Sequence, residues 1–171
     1  MPVAMTGEEY KAKVRRAIEE VWNKNDWEAS KDTYADDMVV YTPSHPQPLR
    51  GREPGMKELH TALHIAHPDF HIDITKMVVE GRDVALLWNV SGTNTGPHFG
   101  MPPTGKKFLS SEATFIQFNE EGKISEIRFY MNVMDILVQL GVMPPGPPPR
   151  IMIAIIGFTQ WLGGLFGGKS R

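Results

Sequence analysis

The sequence predicts an α+β fold in which N-terminal helices pack on one face of a cone-shaped, curved antiparallel sheet. Three observations predict it. Apolar residues recur at helical spacing from Tyr10 to Trp22. The period changes to two after Pro68-Asp69, where Phe70, Ile72 and Ile74 alternate with polar residues. Tight turns at Glu80-Gly81-Arg82-Asp83 and Asn119-Glu120-Glu121-Gly122 then separate long alternating runs. A curved sheet covered by helices on one side leaves a conical cavity between them.

Each element has a local reason. Thr6-Gly7-Glu8-Glu9 is a capping box, and Tyr10, Val14, Ala17, Ile18, Val21 and Trp22 mark one face of a helix over residues 7–24. Asp26 can cap a shorter helix carrying Trp27 and Tyr34. Residues 37–41 form a short strand. Residues 42–53 hold three prolines and read as a loop. Pro54 suits the first turn of a third helix running to about Ala66. Strands follow over 70–79, 84–95, 107–118 and 124–133, the middle two joined by the loop 96–105 with its three prolines and three glycines. A short helix over 135–140 ends at Gly141.

Composition narrows the function. The 171 residues suit one domain with a modest tail, set at 1–143 and 144–171. Eighteen Lys+Arg against 20 Asp+Glu leave no basic excess to neutralise a phosphate backbone, so no nucleic-acid partner is expected. The absence of cysteine excludes disulfides, thiolate catalysis and Cys-based metal sites. Met1 to Gly7 lacks the basic and apolar regions of a signal peptide, and a cytoplasmic protein is expected. The Pro-rich stretch 144–149 leads into an apolar segment, residues 151–168, with five glycines and flanking Arg150, Lys169 and Arg171. Three readings stay open for it. It covers the cone mouth or packs on a second subunit, it makes peripheral membrane-surface contact through Trp161, or it spans a membrane.

The order of motifs in the second half carries a family resemblance. His67-Pro68-Asp69 ends a helix, Gly81-Arg82-Asp83 forms a hairpin, Gly92-Thr93-Asn94-Thr95-Gly96 ends a strand, and Gly100-Met101-Pro102-Pro103-Thr104-Gly105 follows as a loop. Residues 122–141 finish with Gln139-Leu140-Gly141. Over residues 7–143 this resembles the SnoaL-like polyketide cyclases of the nuclear transport factor 2-like superfamily. The resemblance implies a cone-shaped α+β barrel, a homodimer, and a site inside the cone. It implies ring closure by intramolecular aldol chemistry on a small hydrophobic, carbonyl-bearing substrate without a cofactor. Relatives include ketosteroid isomerases and limonene epoxide hydrolases. The family's acid/base Asp falls, counting from Glu126 and from Gln139, on Asn132, and two family histidines fall on Tyr41 and near Gln117.

An amide neither gives nor takes a proton near neutral pH, so another group must do so if protons move. Alternation places Glu126, Arg128, Tyr130 and Asn132 on one face of the last strand, and that face is expected to line the cone. Glu112 and Thr114 could share it. Glu126 or Glu112 would move the proton, Arg128 would pair with Glu126, and Tyr130, Tyr41 and Asn132 would hold the substrate oxygen. The competing reading of the row is a satisfied structural network or part of a dimer interface. Trp88, Phe115, Gln117, Met101, His98, Met134 and Asp135 are candidates for contacting substrate, with Asp135 also a candidate helix cap. His60, His64 and His67 share a helix face with His71 just beyond, yet no metal signature accompanies them, and no metal site is expected. They are expected at the solvated border of the stripe formed by Leu59, Leu63 and Ala66. His45 lies in the first loop with no strong role. A non-catalytic carrier of hydrophobic ligands, and an epoxide-hydrolase-like enzyme built on an Asp–Arg pair, are the alternatives.

Overall fold

The structure is a computed structural model and describes residues 5–97 and 100–146. The tail expected to act as arm, lid or membrane contact lies outside the described residues, as does His98. Among the described residues no helix is long and apolar enough to cross a membrane.

The capping box forms as expected. Glu9 N–H donates to the Thr6 hydroxyl, and Thr6 N–H donates to the Glu9 carboxylate at 2.6 Å. Helix α1 (Gly7–Arg16) then passes into wider π-type turns over Ala17–Asn23. These turns bury Ala17, Ile18, Val21 and Trp22 against the sheet. The Asp26 carboxylate caps a single 3₁₀ turn, Trp27–Ala29, which runs into α2 (Ser30–Thr33). Tyr34 belongs not to this helix but to strand β1 (Tyr34–Tyr41), where it is fully buried and accepts a hydrogen bond from the Trp22 indole at 3.0 Å.

The loop expected over 42–53 contains a two-residue strand, β2 (Leu49–Arg50), paired antiparallel with β1. The chain kinks at Glu53 before α3 (Lys57–Ala66). Then β3 (His71–Glu80), β4 (Asp83–Thr93), β5 (Lys107–Phe118) and β6 (Ile124–Tyr130) form the expected meander. The sheet order is β2-β1-β6-β5-β4-β3, with β1 alongside β6 in parallel. The last strand stops at Tyr130 rather than continuing to 133. The Asn132 side chain caps α4 (Val133–Gln139) by accepting from Asp135 N–H at 3.2 Å. The core lies between the helices and the inner sheet face, with Tyr10, Val14, Val21, Met38, Val40, Ile116 and Ile127 among its residues.

The motif at the end of β4 has a packing reason. Asp69 accepts from both the backbone N–H and the hydroxyl of Thr93, each at 2.6 Å, tying the end of α3 to the sheet. Buried Asn94 donates to Gly96 C=O and accepts from Thr104, closing the loop that follows. A side chain at Gly96 would collide with the Ile65 carbonyl oxygen. Gly96→Ala is therefore expected to destabilise the fold by about 2 kcal/mol or more, read as a lower urea midpoint. An unchanged midpoint would contradict the packing at this junction.

Candidate active site

The register of β5 against β6 decides which side chains face the helices. Thr114 pairs with Phe129 and Ile116 with Ile127, while Phe115 pairs with Arg128 and Gln117 with Glu126. Ile127 is buried, and Phe129 and Met131 pack on the core. Glu126, Arg128 and Tyr130 therefore point to the outer face, which corrects the expectation that they line the cone. The reason is area: Ile127, Phe129 and Met131 are worth more buried than exposed, and a one-residue alternation sends their neighbours outward.

On that outer face Arg128 Nε donates to Glu126 at 2.6 Å, and the guanidinium lies 3.8 Å from the Tyr41 ring centre. The expected ion pair is present, outside the cone. Tyr130 is 56% exposed and packs edge-on against Phe115, which is 52% exposed. Gln117 donates to Asp83 at 3.1 Å. Tyr41, Phe115 and Gln117 are thus placed away from the interior. Met134 is exposed on α4, and the Asp135 carboxylate accepts from Gln139 at 2.8 Å. Asn132 is exposed, its carbonyl engaged as the α4 cap. Met101 is half-buried in its loop and does not wall the hollow described next.

Beneath the sheet lies a narrow hollow of about 60 Å³. Its walls are apolar: Trp22, Leu63 and Phe70 on the helical side, Trp88, Phe108 and Phe129 on the sheet, and Ile136, Leu137 and Leu140 from α4. Among the described residues, Trp88 is the one expected substrate contact placed here. Three polar side chains interrupt the wall, namely Thr42, Ser44 and Glu112. Substrates of the size usual for such sites need roughly 300 Å³ or more, so a ligand enters only as wall side chains move.

Glu112 is the unusual residue. Phe108, Ile116 and Phe118 occupy the inner face of β5, yet between them that face carries Ser110, Glu112 and Thr114, all buried. Glu112 is 4% exposed, and neither carboxyl oxygen has a hydrogen-bond partner. Burial pushes its pKa from 4.5 up to about 7, opposed only by the nearby Ser110 hydroxyl, which falls short of a hydrogen bond. Across the strands Glu112 pairs directly with Trp88, whose indole N–H is also buried without a partner. A carboxyl that titrates near neutrality in an apolar hollow can give or take a proton. Sequence reasoning placed Glu112 among the candidates but on the wrong shared face, with Glu126. The available signal was its position in an otherwise apolar alternation.

His60 and His67 are buried and His64 half-buried, which corrects the expected solvated border, while His71 is exposed. His60 is buried, its Nε2 lies 2.8 Å from Val21 C=O, and its ring contacts Trp22 and Trp27. Burial lowers the pKa of His60, His64 and His67, that of His64 to about 4. Their roles are those of neutral packing groups. Among the described residues no cluster of three or more His, Asp or Glu side chains is arranged to hold a metal. The epoxide-hydrolase-like arrangement also lacks its guanidinium here, because Arg128 is on the outer face.

With this geometry in view, the chain can be set beside known proteins. The family model for SnoaL-like polyketide cyclases matches residues 12–140. No curated protein matches the sequence. Among solved structures, a protein of Jannaschia sp. CCS1 assigned as a SnoaL-like polyketide cyclase superposes with a TM-score of 0.74 at 18% identity, over 84% of this chain and 99% of that one. AclR of Streptomyces galilaeus, assigned as a hydroxylase, gives 0.69 at 25% identity over 81% and 100%. IdmH of Streptomyces antibioticus, assigned as a polyketide cyclase, gives 0.66 at 25% identity over 78% and 99%. The motif order, the six-stranded curved sheet and the family match agree: this chain belongs to the SnoaL-like polyketide cyclase family.

Proposed function

We propose that the chain is a cofactor-independent cyclase or isomerase acting on a small hydrophobic molecule with a carbonyl group, bound in the inner hollow, with Glu112 moving the proton. The observation that carries this reading is the partnerless, buried Glu112 carboxyl with its pKa raised to about 7. The ionised carboxylate takes a proton from the carbon beside the carbonyl and becomes a neutral acid. The enolate carbon then attacks a second carbonyl of the same molecule, and the new alkoxide takes the proton back from Glu112. Isomerisation differs only in that a carbon receives the returned proton. The likeness to IdmH supports this class of chemistry.

The test is hydrogen–deuterium exchange at the α-carbon of 2-tetralone, a flat apolar ketone. The protein should accelerate exchange over buffer, and Glu112→Gln should lose about a hundredfold of that acceleration. Glu126→Gln and Tyr130→Phe should leave it unchanged. An unaltered rate in Glu112→Gln removes the proposed role. One observation favours a second reading, that of a non-catalytic carrier: the amide at position 132 caps α4 and supplies neither acid nor base. A carrier would bind 2-tetralone without exchanging its protons.

The proposal includes a homodimer formed through the outer sheet face. Val78, Leu87, Phe115 and Tyr130, all more than half exposed, make an apolar stripe across neighbouring strands there. Phe115→Asp should shift sedimentation from dimer to monomer. Monomeric parent protein, or an unaffected dimer in the variant, would count against this face.

A further inference from the structure

We infer that the Ser44 hydroxyl, held between Thr42 and His45 at the end of β1, is the donor that receives the oxygen of a molecule bound in the hollow. The inference rests on the reading of that hollow as the binding site. It concerns a different residue set, one that the family motifs do not include.

The geometry is a short chain of hydroxyls leading from solvent to the interior. Thr42 is buried, Ser44 half-buried and His45 exposed. Thr42 Oγ1 lies 3.0 Å from Ser44 Oγ, and Ser44 Oγ lies 3.0 Å from His45 Nδ1. Ser44 N–H also donates to Thr42 Oγ1, at 3.5 Å. Thr42 Oγ1 accepts from that N–H, either hydroxyl can donate in the contact between the two, and Ser44 is freed when Thr42 donates. With a proton on Nδ1, His45 gives a second one. A serine oxygen has two acceptor sites and one proton to donate. Once both acceptor sites are filled, the remaining O–H is directed to what else surrounds Ser44, which is the hollow that Thr42 and Ser44 both wall.

The rest of the wall gives a ligand oxygen little choice. Glu112 and the Trp88 indole are strand partners and supply one polar part of the wall. The Thr42–Ser44 pair supplies the other, from the chain beyond β1. A ketone bound between them would present its α-carbon to Glu112 and its oxygen to Ser44. Charge growing on that oxygen would strengthen the Ser44 hydrogen bond, with His45 acting as a positioning residue behind it. No proton passes along this chain: the oxygen carries its charge as an enolate held by the Ser44 O–H, and Glu112 alone takes the α-proton and returns it.

The experiment compares binding of 2-tetralone with tetralin, which has the same ring system without the oxygen, followed by tryptophan fluorescence. Ser44→Ala should weaken 2-tetralone about tenfold and leave tetralin unchanged. His45→Phe should do the same to a smaller degree, and His45→Asn, which keeps an N–H near the Nδ1 position, should restore it. Equal effects on both ligands, or none on either, overturn the inference. If neither compound binds the parent protein, the hollow is not the site, and the inference falls with that reading. Loss of exchange in Glu112→Gln with no ligand discrimination by Ser44 would sink the inference and leave the proposed function standing.

Discussion

At about pH 9 the Glu112→Gln variant should be more stable than the parent by about 3 kcal/mol, and the difference should vanish by about pH 4. The sign follows from the direction of the shift. The folded carboxyl titrates at about 7, against 4.5 when the chain is unfolded. Between these values the native state holds a proton that the unfolded state has lost, so stability falls as pH rises through the window. Above it the native protein carries a charged carboxylate in an apolar wall with no partner. Glutamine keeps the shape, never ionises, and escapes that loss. Below the window both side chains are neutral, and the two proteins should unfold alike. Urea midpoints measured across the range would show the gap opening with pH; a constant gap, or none, would contradict the burial of an ionisable group here. A residue kept at such a cost to stability is a reasonable place to look for chemistry.

Trp22→Ala should lower stability by about 4 kcal/mol, the largest single loss expected in the helical layer. Trp22 is 5% exposed and sits where the widened turns of the first helix meet the sheet. Its ring contacts His60 and Phe70, at centre distances of 5.1 and 5.9 Å, and forms part of the hollow's wall. Removing it leaves a void among these rings. It also deprives the fully buried Tyr34 hydroxyl of the indole donor 3.0 Å away. Trp22→Phe keeps most of the volume and loses only the hydrogen bond, so it should cost no more than about 2 kcal/mol. If the two variants were equally mild, packing at the helix–sheet junction would be looser than the structure shows.

How far these features could be read from the amino acids differs between strands. The capping box, the helical stripe from Tyr10 to Trp22 and the hairpin at Gly81 are local patterns, and local physics fixed them. The widening at Ala17–Asn23 and the start of β1 at Tyr34 were not legible, because both answer to packing between distant elements. The last strand shows the harder limit. Glu126, Arg128 and Tyr130 share a face in any register, but alternation alone does not say which face is inside. The apolar set Ile127, Phe129 and Met131 is the stronger guide, because burying it removes more apolar area from water than burying the polar row would. On β5 the same alternation fails at its centre, where Ser110, Glu112 and Thr114 replace the apolar residues found at both ends. Family spacing puts the carboxylate position at Asn132 and carries no information about Glu112, which lies on another strand. The Thr42–Ser44–His45 chain carried no sequence signal beyond its residue types.

Everything proposed for the site requires that the hollow shelter a carboxyl which is neutral about half the time near neutral pH. Infrared difference spectra between the parent and Glu112→Gln, collected through a pH titration, observe the protonated carboxyl band of that one side chain. The band should persist at about pH 6 and halve near the value of about 7 set by burial. A band already lost by about pH 5, as for a carboxyl in water, would mean that Glu112 is solvated and that the proposed chemistry has no acid or base in the hollow.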